Sequence, residues 1–436
     1  MDINQGLFAF IKKSPTAFHA AAAIREILAE NGFAELRESE AWQVAPGGKY
    51  YVLRNDSSII AFKVGAEAKN GGFMIAASHS DSPSFKIKEN ACLEVRKEYL
   101  QLNTEGYGGM LCAPWLDRPL SVAGRLVVRS GDRYTTKLVD VGRSLALIPS
   151  VAIHMDRHAN EGASYNKQVD MLPLFAQLPA EEGSLLSLVA AEAGVAADSI
   201  YGSELFLYNR MEPTVWGAQN EFISAPRLDD LQCAYTSLLG FLQGSHDRAV
   251  QVYACFDNEE VGSCTKQGAD SGFLSDTLSR CSRALGKSVD DHHRALASSF
   301  MLSCDNAHAL HPNHPEKSDA KNYPVMNGGV VMKAHAGQKY TSDAVSMAVW
   351  KGICEKAGVP LQHFANRSDA VSGSTLGNIA SSHVSVNSVD IGLAQLAMHS
   401  PYETAGARDS EYMQKAVQTF YASAVCCRED GLQIIE

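Results

Sequence analysis

The chain has 436 residues, of which 45% are hydrophobic and 20% charged, and a formal net charge of -11. That length suggests two or three domains, and the composition is that of a folded rather than a disordered chain. The acidity argues against nucleic acid and anionic membranes as partners, because both are bound through basic patches. Ten cysteines stand without a repeated metal-binding spacing. With no secretory leader and no apolar run of membrane-span length, they read as reduced thiols in a cytoplasmic protein.

Near the start, Ser14-Pro15 offers an N-cap and a first-turn proline, Ile24, Ile27 and Leu28 recur at helical spacing, and Asn31-Gly32 ends the run, so a helix is expected there. Three strand-like runs follow at 50–53, 59–64 and 73–77. The third delivers His79-Ser80-Asp81-Ser82-Pro83 at its end. Asp81 is placed to accept the second ring N–H of His79 if the turn folds back.

From about 91 to 221 the texture is β-rich, with strand-like runs at 125–128, 137–139, 151–154 and 204–208 and one helix at 185–193. We read this as an insertion, residues 92–221, in an α/β domain formed by 1–91 and 222–436. Tyr107-Gly108-Gly109-Met110 through Trp115-Leu116-Asp117-Arg118 suits either a subunit contact or loop packing.

The α/β pattern resumes at Arg227-Leu228-Asp229-Asp230 before a helical run at 231–242. One aspartate is expected to cap that helix, leaving the other free. A buried strand at 250–256 then stops at Asp257-Asn258-Glu259-Glu260-Val261-Gly262. In an open α/β sheet, strand ends are where ligands bind. Side chains alternate along a strand, so Glu259 and Glu260 are expected to point differently, one to a metal and one to water. The competing reading is a turn followed by a solvated helix start.

A strand at 299–304 ends in Asp305, with His308, His311 and His314 close behind. Pro312 makes it hard for all three histidines to converge on one ion. The strand 330–333 ends in Lys333, and Tyr340-Thr341-Ser342-Asp343 caps a helix that closes at Gly358-Val359-Pro360. Ser372-Gly373-Ser374-Thr375-Leu376-Gly377 is a glycine-rich turn without the phosphate-loop lysine. Strands at 384–389 and 391–392 lead to His399 before Ser400-Pro401, and a helix at 412–424 is expected to end the chain.

Two histidines (His79, His399), two aspartates (Asp229, Asp305) and the pair Glu259 and Glu260 thus stand at or just after strand ends. Zinc accepts imidazole nitrogen and carboxylate oxygen, and a bridging aspartate divides such a set between two ions. Paired metals activate water and polarise a carbonyl, and the remaining glutamate suits a general base.

The motifs His79-Ser80-Asp81-Ser82-Pro83, Arg227-Leu228-Asp229, Asp257-Asn258-Glu259-Glu260-Val261-Gly262-Ser263, Asp305-Asn306-Ala307-His308-Ala309 and Gln395-Leu396-Ala397-Met398-His399-Ser400 resemble, in order, those of the aspartyl aminopeptidases, the M18 metallopeptidases. The resemblance covers nearly the whole chain. It implies an α/β proteolytic domain with two Zn2+ per subunit, replaceable by Co2+ or Mn2+, and an inserted β-rich dimerisation domain. It also implies assembly into tetrahedral homododecamers and release of N-terminal Asp, less readily Glu, from peptides. By resemblance, His79, Asp229 and Asp305 hold one ion and Asp229, Glu260 and His399 the other, Asp81 orients His79, and Glu259 is the base. The motif reads Leu-Asp-Asp where Leu-Asp-Asn is expected in many relatives, which places Asp230 beside the bridge.

Acid selectivity requires a cation, for which Lys333 and His308 are candidates. The resemblance adds His154 reaching in from another subunit, and Tyr340 offers a hydroxyl. A dinuclear amidohydrolase or deacetylase, or a metal-binding assembly without catalysis, fits the same ligands.

Overall fold

Val250–Phe256 and Phe73–His79 are buried along their whole length and pair in parallel, with Phe256 opposite His79. Phe300–Cys304 lies on the other side of Phe73–His79, and Asn387–Gly392 beyond it, all parallel. Strands covered on both faces need near-continuous apolar sequence, which is what these runs carry. They form the centre of a nine-stranded mixed sheet, completed on one edge by Ala34–Glu35, Lys49–Arg54 and Ser58–Val64 and on the other by Val330–Lys333 and Leu361–Phe364. The computed structural model describes residues 2–180, 184–429 and 431–435.

Alternate side chains of these strands enter two separate cores. Met74, Ala76, Tyr253 and Leu302 pack with helices Leu228–Gln243, Ala344–Ala357 and Asp409–Tyr421, whereas Phe73, Ile75, Val252 and Met301 pack with Phe273–Ala284 and Leu376–Ala380. The period of two along each strand is what divides the layers. The fold is therefore mixed α/β with flanking helices. A six-stranded antiparallel sheet between Ser84 and Asn209 has its own core around Phe85, Trp115, Val122 and Leu207. Its strand Ser84–Val95 spans the expected boundary at 91/92. A five-stranded sheet, containing Phe222–Ala225, Glu403–Gly406 and Ala394–Leu396, joins the chain's return to its last third.

Several local expectations change. A helix Ile3–Lys13, capped by Asp2, precedes the expected one, which starts at Ala17. Residues 151–154 form no strand: Val151 and Ile153 are exposed, a turn begins at Ile153, and among the described residues no strand pairs with them. Neither Asp229 nor Asp230 caps a helix by its side chain: both have non-helical backbone angles at a kink before the regular helix, and the Asp230 carboxylate is turned to the His79 backbone N–H. The last helix is followed by a hairpin, Ala424–Arg428 with Gly431–Ile435. Among the described residues, no helix is long and apolar enough to cross a membrane.

Candidate metal centre

The parallel strands end together, and the loops that leave them carry the acids and imidazoles. His79 is the last residue of its strand, Asp305 directly follows Phe300–Cys304, and Glu259 and Glu260 lie in a single 3-10 turn, Glu259–Val261, beyond Val250–Phe256. The two glutamates are therefore separated by helical rotation and not by strand alternation. Asn258 enters that turn at φ 63°, a conformation asparagine tolerates better than most residues, and Gly262 leaves it at φ 97°.

Asp229 is the common member. Its Oδ1 lies 3.5 Å from His79 Nε2 and its Oδ2 3.5 Å from His399 Nε2, while Glu260 Oε2 is 3.4 Å from the same His399 nitrogen. Two three-residue sets result, His79 with Asp229 and Asp305, and Asp229 with Glu260 and His399, each with ligand atoms within 4.8 Å of one another. Asp230 is turned elsewhere: its Oδ2 accepts the His79 backbone N–H at 3.3 Å, and it belongs to neither set.

Buried oxygens in the centre lack donors. Among the described residues Asp229 Oδ1 and Glu260 Oε1 have no hydrogen-bond partner, an arrangement that is costly unless a cation supplies the missing charge. Nitrogen and carboxylate donors in sets of three suit zinc. The residues present thus fit the metal chemistry that the sequence anticipates.

A surrounding layer fixes these groups. Asp81 accepts the backbone N–H groups of Glu259 and Glu260, each at 3.1 Å, and the Tyr107 hydroxyl at 2.7 Å. Its carbonyl oxygen lies 3.1 Å from His79 Nδ1 and its carboxylate 3.4 Å from the same nitrogen. Both acceptors assign the proton to Nδ1 and leave Nε2 facing Asp229. Asp81 thus meets the His79 ring most closely through its backbone carbonyl, while its carboxylate accepts from the glutamate turn. On the other side, the Gly109 carbonyl lies 2.8 Å from His399 Nδ1, and Glu403 accepts the backbone N–H groups of Asp229 and His399 at 2.9 and 2.8 Å.

Tyr107, Gly109 and Glu403 are contributors that sequence reading missed. A carbonyl contact such as that of Gly109 leaves no side-chain signal. Tyr107 and Gly109 lie in the stretch expected to be a subunit contact or loop packing, and both face this centre within one chain.

The electrostatics reflect crowded acids. Burial and neighbouring carboxylates push Glu259 up to about 8. Burial and Asp229 likewise raise Glu403 to about 8. Burial works against protonated His399, yet Asp229 and Glu260 outweigh it and raise the imidazole to about 10. Asp229 is driven below the usual carboxylate range because its two imidazole partners overcome burial.

The remaining candidates divide. Lys333 is buried, with its Nζ 2.8 Å from the Asp305 carbonyl and 3.4 Å from the Asp305 carboxylate, and it faces the Tyr340 ring at 5.3 Å. Tyr340 is buried beside Phe364. His308 is exposed on the wall of an adjoining cleft, where partial desolvation by its neighbours and then the charge of Lys333 lower its pKa. His154 is exposed in the 151–164 segment and belongs to neither ligand set. The turn at 372–377 enters the short helix Leu376–Ala380, and Thr375 donates to Asp390.

The Aminopeptidase I zinc metalloprotease (M18) family model matches residues 10–421. The chain belongs to this family. Among curated M18 relatives, a probable M18 family aminopeptidase 2 of Clostridium novyi is 45% identical over 95% of this chain and 97% of its own. One from Pseudomonas aeruginosa is 41% identical over 97% and 99%. Among solved structures, a chain of the Ape4 and Nbr1 complex superposes with a TM-score of 0.93 at 34% identity, covering 96% of this chain and 85% of that one. The mApe1 dodecamer of S. cerevisiae gives 0.84 at 28% identity, covering 96% of each.

Proposed function

We propose that this M18 zinc aminopeptidase releases N-terminal Asp, and less readily Glu, from peptides at a centre for two zinc ions per subunit. The observation that carries the reading is the Asp229 carboxylate, with one oxygen toward each histidine and a further carboxylate completing each set. His79, Asp229 and Asp305 would hold one ion, and Asp229, Glu260 and His399 the other. When bound, the ions supply Lewis acidity and activate water. Glu259 takes a proton from the attacking water and passes it to the departing amine, while Asp81 holds the turn from which Glu259 projects.

Recognition of the acidic side chain falls to Lys333 and His308, with Tyr340 in support. Lys333 is the cation that Asp305 and His308 both feel. A second subunit would add His154. The exposed apolar side chains around it, Val151, Ile153 and Met155, favour self-association through the β-rich region, residues 92–221. The dodecameric mApe1 relative supports a tetrahedral homododecamer built from dimers. Among the described residues no disulfide joins any of the ten cysteines, which suits a cytoplasmic location.

Hydrolysis of peptides beginning with Asp, Glu, Leu and Lys, with and without chelator, tests this reading. Asp should be cleaved fastest and chelator should abolish cleavage; rapid cleavage of N-acetylated Asp peptides would instead indicate an amidohydrolase. Glu259→Gln should retain its metal and lose about 10²–10⁴-fold in rate. Undiminished hydrolysis would remove Glu259 from the role of base. Mass measurement in solution tests the assembly.

A further inference from the structure

A polar row crosses the central sheet next to the strand end that carries Asp305. Asp390, on Asn387–Gly392, stands opposite Ser303 on one neighbouring strand and opposite Lys333 on the other. Asp390 and Lys333 are an antiparallel pair, and such residues share a face of the sheet with Cβ atoms about 4.5–5.5 Å apart. Asp390 is 0% exposed and Lys333 2%. A buried carboxylate and a buried ammonium in that register are natural partners, and the charge of Asp390 does reach Lys333. The ion pair that Lys333 makes is nevertheless with Asp305, at 3.4 Å.

The oxygens of Asp390 are engaged elsewhere. Oδ2 accepts both the backbone N–H and the hydroxyl of Thr341, at 2.5 and 2.7 Å, and Oδ1 accepts the Thr375 hydroxyl. The Asp390 backbone N–H donates to Ser342 Oγ at 2.9 Å, so one strand residue grips two successive residues of the segment that follows Tyr340. Thr375 stands at the cap position of Leu376–Ala380, where a threonine side chain ordinarily accepts a helix N–H. It makes no such cap hydrogen bond, and its hydroxyl donates to Asp390. Gly377 permits the close approach, since a Cβ there would stand 2.6 Å from the Ser303 side chain and 3.2 Å from Asp390 Oδ1. The glycine-rich turn at 372–377 thus holds a carboxylate that lies in register with a lysine.

We propose that Asp390 is a restrained competitor of the substrate: Thr341 and Thr375 hold its carboxylate away from Lys333, which keeps the ammonium for the acidic side chain of the peptide. Thr375 is then a positioning residue for specificity, acting through Asp390. The inference rests on the reading that Lys333 recognises the acidic side chain, and it deepens that reading by naming what sets the strength of the recognition. Loss of the Thr375 donor would leave Asp390 Oδ1 buried without a partner, which is costly. The Lys333 ammonium across the strand pair offers the missing donor, and a carboxylate released to it neutralises the charge that the substrate would meet.

The test measures kcat and KM on peptides beginning with Asp and with Leu, using the zinc-loaded wild type, Thr375→Val, Thr375→Ser, and Thr375→Val combined with Asp390→Asn. Thr375→Val should lower the Asp-over-Leu ratio of kcat/KM about tenfold, the lower end of what a hydrogen bond to a charged group contributes. The change should lie in KM for the Asp peptide. Thr375→Ser keeps the hydroxyl and should restore most of the ratio. The double variant removes the competing charge and should recover the selectivity that Thr375→Val loses. If Thr375→Val does not fold, Thr341→Val, which keeps its backbone N–H, carries the same comparison. An unchanged ratio in Thr375→Val, an equal loss on both peptides, or a further fall in the double variant would overturn the proposal alone, the last by showing Asp390 to be only an anchor. A wild type without preference for Asp over Leu would overturn the aspartyl reading and the proposal with it.

Discussion

His79 and His399 approach Asp229 at the same 3.5 Å through different oxygens, yet their supports have little in common. The His79 side chain is 1% exposed and anchored at the end of a central parallel strand, with Asp305 leaving the adjacent one. The His399 side chain is 31% exposed, sits at φ 67° in a loop, and is fixed by the Gly109 carbonyl from the β-rich region. One side of the centre is a product of the sheet, and the other depends on two loops meeting. The side built from loops should be the easier one to disturb.

The sheet side should resist mild changes but lose the most stability when a buried partner is removed. Lys333→Met removes one partner of a buried pair and should lower the stability of the metal-free protein by about 3–5 kcal/mol in denaturant melts. In the loaded enzyme it should raise KM for Asp peptides and spare neutral ones; an equal loss on both would remove Lys333 from acid recognition. Tyr107→Phe takes one donor from Asp81, which holds the turn bearing both glutamates. Replacing such a supporting group typically costs 10–100-fold in activity or metal affinity, so kcat should fall within that range while the fold, followed by circular dichroism, is unchanged.

Gly108→Ala probes the loop side. Gly108 has φ 74°, and an added Cβ would stand 3.3 Å from Glu260 Cβ and 3.4 Å from Pro83 Cα. The left-handed conformation alone costs about 1–2 kcal/mol with a side chain. Metal titration should show one weakened site and one near-normal site; equal weakening of both would mean that the two sides are mechanically one.

The smallest effect concerns pH. In the metal-free protein, His399 is raised to about 10, and Glu259 and Glu403 to about 8. Groups that bind protons more tightly when folded stabilise the protein below their unfolded pKa and lose that contribution as pH rises through the folded value. The Tm of the metal-free protein should therefore fall between about pH 5 and 10, with the His399 share lost from about 6.5 upward. Metal bound at His399 takes the place of its proton, and the added positive charge favours ionised Glu259 and Glu403, so the loaded protein should show a flatter profile.

The sequence carries the two regions unequally. Runs such as 250–256 announce the central strands because burial on both faces demands apolar residues throughout, and abrupt stops at Asp305 and at Asp257-Asn258-Glu259-Glu260 mark where they end. The sets into which these residues fall depend on which strands are neighbours, and no local pattern encodes that order; the resemblance to a family supplied it. Residues 151–154 misled because β-like side chains without a partner strand form no ladder. Glu403 serves as an acceptor for two backbone N–H groups, a role that any buried carboxylate of the right reach can fill and that spacing does not announce.

The contact between Gly109 and His399 joins residues 290 positions apart. At a synthesis rate of about 5–20 residues per second, the carbonyl waits roughly 15–60 s for its imidazole to be made. Throughout that interval the nascent chain holds the sheet-side residue His79 and later Asp229, Glu260 and Asp305, a cluster of carboxylates without the second histidine. If, as proposed, Asp229, Glu260 and His399 hold a second ion, its loading would wait for His399 to be made, and a cell short of zinc would accumulate molecules poised at that step.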